Sequence, residues 1–268
     1  MAKIKNFKTI FPAVSVPLND DYTINEPEFR AYLRWIKSFY DKGIQGLVCN
    51  GHTGEITGLS RAERRRVVEI CSEECGDIMT IISGINCENT IESIEMAKEA
   101  KEAGADGILL MPPHMWLRFG MHKDAPYEYV KDVAEGADID IIIHLYPATS
   151  KAFYPVGTLI KMCKEIEHVK CIKMGTRVTS IYEHDVRLLR QECPDISLIT
   201  CHDETLCVSW FPGMDGALIG FAGCVPEIIC PAREVFANPD KHTLKEAQDW
   251  SDRIYHISQA IYGGGQPS

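Results

Sequence analysis

The stretch Gly104-Ala-Asp-Gly107-Ile-Leu-Leu-Met111 contains the pattern that decides the fold of this chain. A glycine turn closes a helical segment, and a short apolar run of strand length follows at once. The same order of residue types recurs in Gly43-Ile-Gln-Gly46 before Leu47-Val-Cys-Asn50, and in Gly213-Met-Asp-Gly216 before Ala217-Leu-Ile219. Three copies of one unit predict a repeated helix–strand architecture.

Further strands and helices lie between these copies. Five more apolar runs of strand length are Ile10–Pro17, Met79–Ser83, Asp140–Tyr146, Val169–Met174 and Ser197–Cys201. Segments with helical periodicity separate the runs: one capped by Asn25, then Ser60–Glu74, Thr90–Ala103, Tyr127–Glu135, Pro155–Ile166 and Ile181–Gln191. Eight strands that alternate with helices over about 240 residues predict a single-domain (β/α)8 TIM barrel. An extra C-terminal helix is predicted from about Asp240 to Tyr262.

A doubly wound open sheet is the alternative arrangement of the same elements. Such a sheet would carry a glycine-rich nucleotide loop after an early strand, and the sequence has none. No linker or low-complexity segment divides the chain. We therefore predict one α/β domain, with the catalytic barrel at residues 1–239 and a helical extension at residues 240–268.

The composition of the 268 residues is that of a globular protein, with 45% hydrophobic and 25% charged residues. A net charge of −10 argues against nucleic acid as a partner, because nucleic-acid binding needs a basic surface. No apolar run approaches the roughly 20 residues that span a bilayer, and the N-terminal residues lack the core of a signal peptide. We expect a cytoplasmic protein with no membrane partner.

The 11 cysteines follow no regular disulfide framework. Cys49 and Cys171 lie in apolar strands, where cysteine acts as a small hydrophobic residue. Cys71 and Cys75 are four residues apart on a helical segment, but they lack the second pair of a zinc motif. The sequence predicts reduced thiols and no metal site.

The strand Val169–Met174 carries a lysine at a position where a core residue is expected. Alternation places Val169, Cys171 and Lys173 on one face of the strand. Burial of an amine lowers its pKa, and a neutral lysine can attack a carbonyl carbon to form a Schiff base. The alternative is that the lysine extends to solvent or pairs with a carboxylate.

Two further candidates fall at the carboxyl ends of strands, where the active sites of barrel enzymes lie. The turn Gly51-His-Thr-Gly-Glu55 follows the second strand and can present backbone N–H groups to a carboxylate. Tyr146 ends the fifth strand, next to the strand of Lys173, and a tyrosine hydroxyl can move protons beside a Schiff base. His144 shares the face of Tyr146, and we expect it to lie one layer deeper as a hydrogen-bonded core residue.

These motifs together resemble the dihydrodipicolinate synthase / N-acetylneuraminate lyase family, whose members are class I pyruvate-dependent aldolases on a (β/α)8 barrel. The resemblance is carried by Gly51–Glu55, by Leu59-Ser60 with Glu63–Val68, by Tyr146 and by Ile172-Lys173. It extends from about Phe11 to Pro239, so it covers most of the chain.

The resemblance implies a role for several residues. Lys173 would form the Schiff base with pyruvate or another 2-oxo acid, and Tyr146 would shuttle protons. His52 and Thr53 would hold the carboxylate through backbone N–H groups and the threonine hydroxyl. Thr53 would also be a catalytic residue. The backbone of Leu218 would line the pyruvate pocket. An aldehyde would be the second substrate, no metal or organic cofactor would be needed, and the enzyme would be a homo-oligomer, a dimer or a tetramer.

The chain also departs from the pattern of dihydrodipicolinate synthases. His52 stands where those enzymes usually carry a second threonine. Met111-Pro-Pro-His-Met-Trp116 replaces their tyrosine pair, so the relay tyrosine from a neighbouring subunit is missing. Lys151 stands where they place an arginine that binds the carboxylate of the aldehyde, and lysine lacks the two-pronged geometry of arginine.

Two features point to different aldehydes. Asp203 and Glu204 are similar to the acidic pair that binds sugar hydroxyls in N-acetylneuraminate lyases, although the same pair could instead start a helix. The loop that contains Trp116 is similar to that of hydratase-aldolases acting on aryl-substituted pyruvates. The function classes that remain open are a pyruvate aldolase or lyase, a dihydrodipicolinate synthase, an aryl-pyruvate hydratase-aldolase, a dehydratase of 2-oxo sugar acids and a non-catalytic 2-oxo acid sensor.

Family members usually carry further helices after the equivalent of Asp240–Tyr262, whereas this sequence closes with Gly263-Gly-Gly-Gln-Pro-Ser268. The extension at residues 240–268 is therefore expected to be shorter than in the family.

Overall fold

The computed structural model describes residues 3–263, so the part of the predicted extension at residues 264–268 lies outside the described residues. The eight strands form one parallel sheet. They are β1 (Ile10–Pro12), β2 (Gly46–Cys49), β3 (Thr80–Ile85), β4 (Gly107–Leu110), β5 (Asp140–Leu145), β6 (Val169–Met174), β7 (Ser197–Thr200) and β8 (Gly216–Ile219). Consecutive strands from β2 to β8 pair in order, β8 pairs with β1, and a bridge from Ala13 to Val48 joins the β1 side to β2. The sheet therefore curls into a barrel.

Helices cover the outside of the barrel. They are α1 (Glu26–Lys37), α2 (Arg61–Cys75), α3 (Thr90–Glu102), α4 (Met115–Phe119), α5 (Ala125–Ala137), α6 (Val156–Glu165), α7 (Thr179–Glu192), α8 (Leu206–Trp210), α9 (Pro226–Ala237) and α10 (Leu244–Tyr262). The predicted single-domain (β/α)8 TIM barrel with an extra C-terminal helix is confirmed. A boundary between barrel and extension at residue 239 stays a prediction.

The repeated glycine motif has two physical reasons. Its first glycine adopts a left-handed backbone, with φ of 104° at Gly43, 103° at Gly104 and 85° at Gly213. Its second glycine begins a strand against its neighbour: a Cβ on Gly216 would lie 1.9 Å from the backbone oxygen of Thr9. The motif therefore ends a helix and admits a closely packed strand.

Two apolar layers follow from the alternation of the strands. Residues on the outer face pack under the helices in the larger core. Residues on the inner face fill the barrel: Phe11, Ala13, Val48, Ile82, Leu109, Met111, Ile142, Cys171, Ile199 and Leu218. The barrel interior is thus a packed apolar plug, and polar side chains of the inner face lie above it, towards the carboxyl ends of the strands.

The predicted helix starts are confirmed where capping residues mark them. The Asn25 side chain accepts a hydrogen bond from the backbone N–H of Glu28, and Ser60 and Glu63 form a complete capping box. Helices α4, α8 and α9 were not predicted. Two of them have only five residues, too few to show a helical period, and α9 contains Pro231.

All 11 cysteines are free thiols, and they fall within the described residues. Between residues 3 and 263, no group of three or more histidine, cysteine or acidic side chains is arranged to hold a metal ion. None of the helices in that range combines the length and the apolar character that crossing a membrane requires.

Candidate active site

The neighbouring strands β5 and β6 bring Lys173 beside His144. The register pairs Ile142 with Cys171 and, one inward position further along, His144 with Lys173. Ile142 and Cys171 belong to the apolar plug of the barrel, so His144 and Lys173 lie directly above it. Tyr146 follows on the same face of the chain, just beyond the end of β5.

A cavity of about 410 Å³ opens over these residues. Its walls come from the loops after β2, β4, β5, β6 and β7, as expected for a barrel active site. The lining residues are His52, His114, Leu117, His144, Leu145, Tyr146, Pro147, Lys173, Gly175, Arg177 and Cys201. Lys173 and Arg177 contribute an amine and a guanidinium to this lining, and most of the other lining residues carry rings or apolar side chains.

The environment of Lys173 favours a neutral amine. Among the described residues, its Nζ makes no hydrogen bond or salt bridge. Burial lowers the pKa of Lys173; the neighbouring Cys201 and Asp203 act in the opposite direction, and Arg177 adds to the lowering. The side chain keeps partial access to solvent through the cavity, so a small molecule can reach the amine.

The Tyr146 hydroxyl lies among three imidazole rings. It is 3.2 Å from Nε2 of His114 and 3.4 Å from Nε2 of His52. The ring of His144 meets the tyrosine ring edge-on, with 4.8 Å between centroids. Burial raises the pKa of Tyr146 well above its ordinary value, so the hydroxyl is protonated in the free protein.

Two of the histidines are held neutral at pH 7. Burial against the cavity wall lowers the pKa of His52 to about 4, and the positive charge of Lys173 adds to the effect. Burial also lowers the pKa of His144 well below its ordinary value, again with Lys173 contributing. Nδ1 of His144 has no hydrogen-bond partner among the described residues. His144 lies two residues before Tyr146 on the same face, so its expected place one layer below the tyrosine agrees with the structure, whereas the hydrogen bond expected of a core histidine is missing at Nδ1. The register also places His144 level with Lys173 on the cavity.

The structure brings together three of the predicted site residues, namely Lys173, Tyr146 and His52. His52 and Thr53 lie on the same turn and both are exposed, but Thr53 is not part of the cavity lining. Leu218 belongs to the apolar plug, and its side chain is 3% exposed.

Two other predicted residues lie away from the cavity lining. The ammonium group of Lys151 donates a hydrogen bond to the backbone oxygen of Arg118, 2.9 Å away, on the exposed surface. Trp116 packs edge-on against Tyr129 and Tyr154, with ring centroids 5.6 Å and 6.3 Å away. The next residue along the chain, Leu117, lines the cavity instead.

The acidic pair after β7 is engaged in contacts within the chain. The buried carboxylate of Asp203 accepts hydrogen bonds from the backbone N–H groups of Gly220 at 3.1 Å and Phe221 at 3.0 Å. Burial raises the pKa of Asp203 to about 6, against the lowering effect of these two bonds. Glu204 forms a salt bridge of 2.5 Å with Arg177. Asp203 thereby ties the loop after β7 to the loop after β8.

Sequence reasoning did not assign His114, Leu117, Arg177 or Cys201 to the site. Each lies within a few residues of the end of a strand, which is the signal that could have found them. Arg177 is four residues beyond Lys173, and Cys201 directly follows β7. His114 was noticed as part of its loop, but nothing in the sequence shows that the loop folds back towards Tyr146.

The fold and this cavity define the class of the protein: a (β/α)8 barrel enzyme with a lysine of lowered pKa at the carboxyl ends of its strands. The sequence comparison gives the family. Residues 6–264 match the dihydrodipicolinate synthetase family, and the chain belongs to that family. The resemblance found in the sequence is thereby confirmed, and the chain is an enzyme of the aldolase/lyase type.

Individual relatives agree with this assignment. A 4-hydroxy-tetrahydrodipicolinate synthase of Bartonella bacilliformis is 25% identical over 263 residues, which are 97% of this chain and 85% of that protein. Two solved structures share the fold. A dihydrodipicolinate synthase from Aquifex aeolicus has a TM-score of 0.85 at 20% identity, covering 97% of this chain and 85% of that one. An N-acetylneuraminate lyase from Fusobacterium nucleatum has a TM-score of 0.81 at 20% identity, covering 96% and 84%.

Proposed function

We propose that Lys173 forms a Schiff base with pyruvate or a larger 2-oxo acid, and that the enzyme makes or cleaves a carbon–carbon bond between that acid and an aldehyde. The single observation that supports this most is the amine of Lys173, whose pKa is lowered by burial and which faces a cavity beside Tyr146. A neutral amine is the reactive form, and lowering its pKa enlarges the neutral fraction near pH 7.

The proposed reaction uses the imine as its electron sink. The neutral Nζ of Lys173 adds to the 2-oxo carbon, water leaves and one proton is taken up, giving a protonated imine. This cation stabilises electron density on the adjacent carbon. In the direction of synthesis that carbon attacks an aldehyde, and in the direction of cleavage the bond between that carbon and the aldehyde carbon breaks. Tyr146 donates a proton to the oxygen that leaves as water when the imine forms, and to the aldehyde oxygen that becomes a hydroxyl when the carbon–carbon bond forms. No step requires a metal or an organic cofactor.

The carboxylate of the 2-oxo acid has donors available on two sides. The backbone N–H groups of His52 and Thr53 donate to no carbonyl among the described residues, so they are free to bind an anion. Arg177 lines the cavity from the loop after β6, and its contact with Glu204 uses Nε, which leaves the two terminal nitrogens of the guanidinium for a substrate. A turn with unpaired N–H groups and a guanidinium are both well suited to a carboxylate. Thr53 stays a prediction as a hydroxyl donor and as a catalytic residue.

The cavity favours an aldehyde with an aromatic or otherwise apolar body. Seven of its eleven lining residues carry rings or apolar side chains: His52, His114, Leu117, His144, Leu145, Tyr146 and Pro147. The groups that would bind the hydroxyls of a sugar, Asp203 and Glu204, are engaged with backbone N–H groups and with Arg177. Roles for Leu218, Lys151 and Trp116 in substrate binding stay predictions, because none of them lines the cavity.

We also propose a homo-oligomeric enzyme of the cytoplasm. The exposed apolar side chains of α4 support an assembly: Met115 is 52% exposed and Phe119 is 68% exposed. Such side chains beside an active site are typical of a surface that another chain covers.

Borohydride reduction in the presence of pyruvate tests the proposal. Reduction converts an imine into a stable amine, so intact mass and peptide mapping should locate a pyruvate-derived adduct on Lys173. Lys173→Ala should abolish the adduct. Lys170→Ala is the matched control, because Lys170 lies on the same strand with its ammonium group bonded to the backbone oxygen of Glu167. An adduct that persists in Lys173→Ala, or none in the folded wild type, would contradict the proposal.

The aldehyde is then identified by a rate comparison. Aromatic aldehydes, polyhydroxy aldehydes and aspartate semialdehyde are each supplied with pyruvate, and consumption of pyruvate is followed. The walls of the cavity predict the highest kcat/KM for an aromatic aldehyde. A higher value for aspartate semialdehyde would instead support dihydrodipicolinate synthesis, the activity named for the relative from Bartonella bacilliformis.

A further inference from the structure

The two short contacts of the Tyr146 hydroxyl come from loops of the same chain. His114 precedes the first residue of α4, after β4, and its Nε2 lies 3.2 Å from the hydroxyl. His52 lies in the turn after β2, and its Nε2 lies 3.4 Å away. The two imidazoles are stacked, with 5.9 Å between centroids and 15° between planes. A hydroxyl between two ring nitrogens can accept a hydrogen bond from one and donate its proton to the other.

A third residue gives this arrangement a direction. Nδ2 of Asn86 lies 3.4 Å from Nε2 of His114. An amide nitrogen can only donate, which favours the tautomer of His114 that carries its lone pair on Nε2. That single lone pair is shared between the amide of Asn86 at 3.4 Å and the closer hydroxyl of Tyr146 at 3.2 Å. The oxygen of Tyr146 then has lone pairs left for an N–H of His52. With this tautomer of His114, and with His52 protonated at Nε2, the hydrogen bonds run from His52 to Tyr146 and from Tyr146 to His114.

We infer that His114 is a positioning residue that acts through Tyr146: it orients the hydroxyl and takes up and returns the hydroxyl proton, so that one chain supplies the complete proton relay. This inference rests on the proposed function, because it assigns the path of the protons that Schiff-base chemistry at Lys173 must move. It goes beyond that function by naming a residue that the reaction scheme does not require.

The proton balance of one step shows what His114 does. In the protonated imine of pyruvate, a C–H bond of the methyl carbon breaks and its electron pair becomes the C=C bond of an enamine. The electrons of the C=N bond return to Nζ of Lys173, which becomes neutral. The methyl proton goes to the oxygen of Tyr146 while the hydroxyl proton of Tyr146 moves to Nε2 of His114. The reverse movement restores the starting state.

The surroundings of Tyr146 explain why such a partner matters. A buried phenol gives up its proton to water with difficulty, since the phenolate would lie in a poorly solvated site. The groups that face it are the rings of His52, His114 and His144, with Glu88 nearby as the acidic neighbour. An imidazole lone pair at hydrogen-bond distance offers the proton a direct alternative to water.

The test distinguishes a His114 that only forms a hydrogen bond with Tyr146 from a His114 that also takes up the hydroxyl proton. His114→Gln places an amide near the position of Nε2, so it can keep a hydrogen bond but cannot take up a proton near neutral pH. His122→Gln is the matched control, because His122 lies in the same segment after β4 with 76% of its side chain exposed. Two rates are measured for each variant: borohydride trapping of pyruvate on Lys173, and exchange of the pyruvate methyl protons for deuterium followed by NMR.

The expected result is a split between these rates. His114→Gln should keep trapping within about twofold of the wild type, while methyl exchange slows about 100-fold, the size of a general acid–base contribution. The double variant His114→Gln/Tyr146→Phe should lose little beyond Tyr146→Phe alone, because the two groups act as one unit. Exchange in His114→Gln as fast as in His122→Gln would overturn the inference.

A measurement on the protein without substrate distinguishes failure of the relay through His114 from failure of the proposed Schiff-base chemistry at Lys173. In nitrogen–proton correlation spectra of the histidine rings, Tyr146→Phe should shift the Nε2 resonance of His114, whereas Tyr182→Phe on α7 should leave it in place. A resonance that does not move in Tyr146→Phe overturns the relay whatever the chemistry at Lys173. Absence of a trapped adduct in the folded wild type instead overturns the proposed function.

Discussion

His144 and Lys173 are direct neighbours across the parallel pair β5–β6, and both side chains line the same cavity. The positive charge of Lys173 lowers the pKa of His144, since two cations in a poorly solvated site repel one another. Burial acts in the same direction on both groups. The pKa values of both groups are therefore lowered, which enlarges the neutral fraction of the amine that Schiff-base formation needs.

The first prediction concerns acid stability. The pKa of His144 is well below 6.5 in the folded protein and near 6.5 in the unfolded chain. Below pH 6.5 the unfolded chain therefore binds a proton that the folded protein does not, and the free energy of unfolding falls as the pH drops. His144→Phe removes this loss. Between pH 7 and pH 5, urea unfolding should show a fall smaller by about 1–2 kcal/mol in the variant.

Asp203 makes the comparison with a control necessary. Its pKa is raised to about 6, so the folded protein binds this proton at a higher pH than the unfolded chain does. Protonation of Asp203 therefore raises the free energy of unfolding as the pH drops, opposite to the effect of His144. Only the difference between variants isolates His144. His184→Gln, an exposed histidine on α7, should follow the wild-type pH dependence. An unchanged pH dependence in His144→Phe would contradict a neutral buried imidazole.

The second prediction is that Lys173 costs stability. Its pKa is lower in the folded protein than the ordinary value of 10.5, so the unfolded chain binds more protons below that pH, and the free energy of unfolding is reduced there. Lys173→Met keeps the length of the side chain without the charge. It should raise the free energy of unfolding at pH 7 by about 0.5–2 kcal/mol, as stabilising changes at functional sites do, while abolishing activity. Lys170→Met should change it by less than about 0.5 kcal/mol, and equal effects would argue against desolvation of Lys173.

The third prediction separates a structural role of Asp203 from a substrate-binding role. Asp203→Ala leaves the backbone N–H groups of Gly220 and Phe221 without their acceptor, which should cost about 2–4 kcal/mol of unfolding free energy. Asp203→Asn keeps one carbonyl oxygen and should cost less. The exposed Asp195→Ala serves as the control, with an effect below about 0.5 kcal/mol. A raised KM at unchanged stability in Asp203→Ala would instead indicate binding of substrate hydroxyls.

The fourth prediction compares the two cations offered for the carboxylate of a substrate. Arg177 lines the cavity, whereas the ammonium group of Lys151 lies on the surface against the backbone of Arg118. Arg177→Ala should raise the pyruvate concentration at half-maximal trapping about 10- to 100-fold, because a charge-assisted hydrogen bond contributes about 1.5–3 kcal/mol. Lys151→Ala should stay within about twofold. The opposite order of effects would favour the role that family resemblance assigned to Lys151.

The barrel could be predicted because its signals are local. Gly43, Gly104 and Gly213 each end a helical segment with a left-handed backbone, and an apolar strand follows each of them. Strand β6 has the predicted bounds, Val169–Met174. Helices α4 and α8 escaped prediction because packing against the barrel, more than periodicity, stabilises elements of five residues.

The site was predictable in part. Lys173 and Tyr146 follow from strand alternation and from the rule that barrel sites lie at the carboxyl ends of strands. The level of Lys173 relative to Tyr146 was misjudged, since Lys173 pairs with His144, two residues before Tyr146. The register shifts between Ile141 and Ile142, and alternation within one strand does not give the register with the next. Arg177 and Lys151 show the same limit, since both follow a strand and only one faces the cavity.

The sequence by itself determined the class of fold, the family and the identity of the amine and the hydroxyl on which the proposed chemistry depends, because these follow from periodicity and from motifs of neighbouring residues. The tertiary structure alone decided that His52 and His114 flank the hydroxyl of Tyr146 and that Asp203 binds backbone N–H groups. The physical reason is that loops distant in sequence meet over the barrel, where distance, burial and hydrogen-bond direction depend on how every strand is staggered against the next.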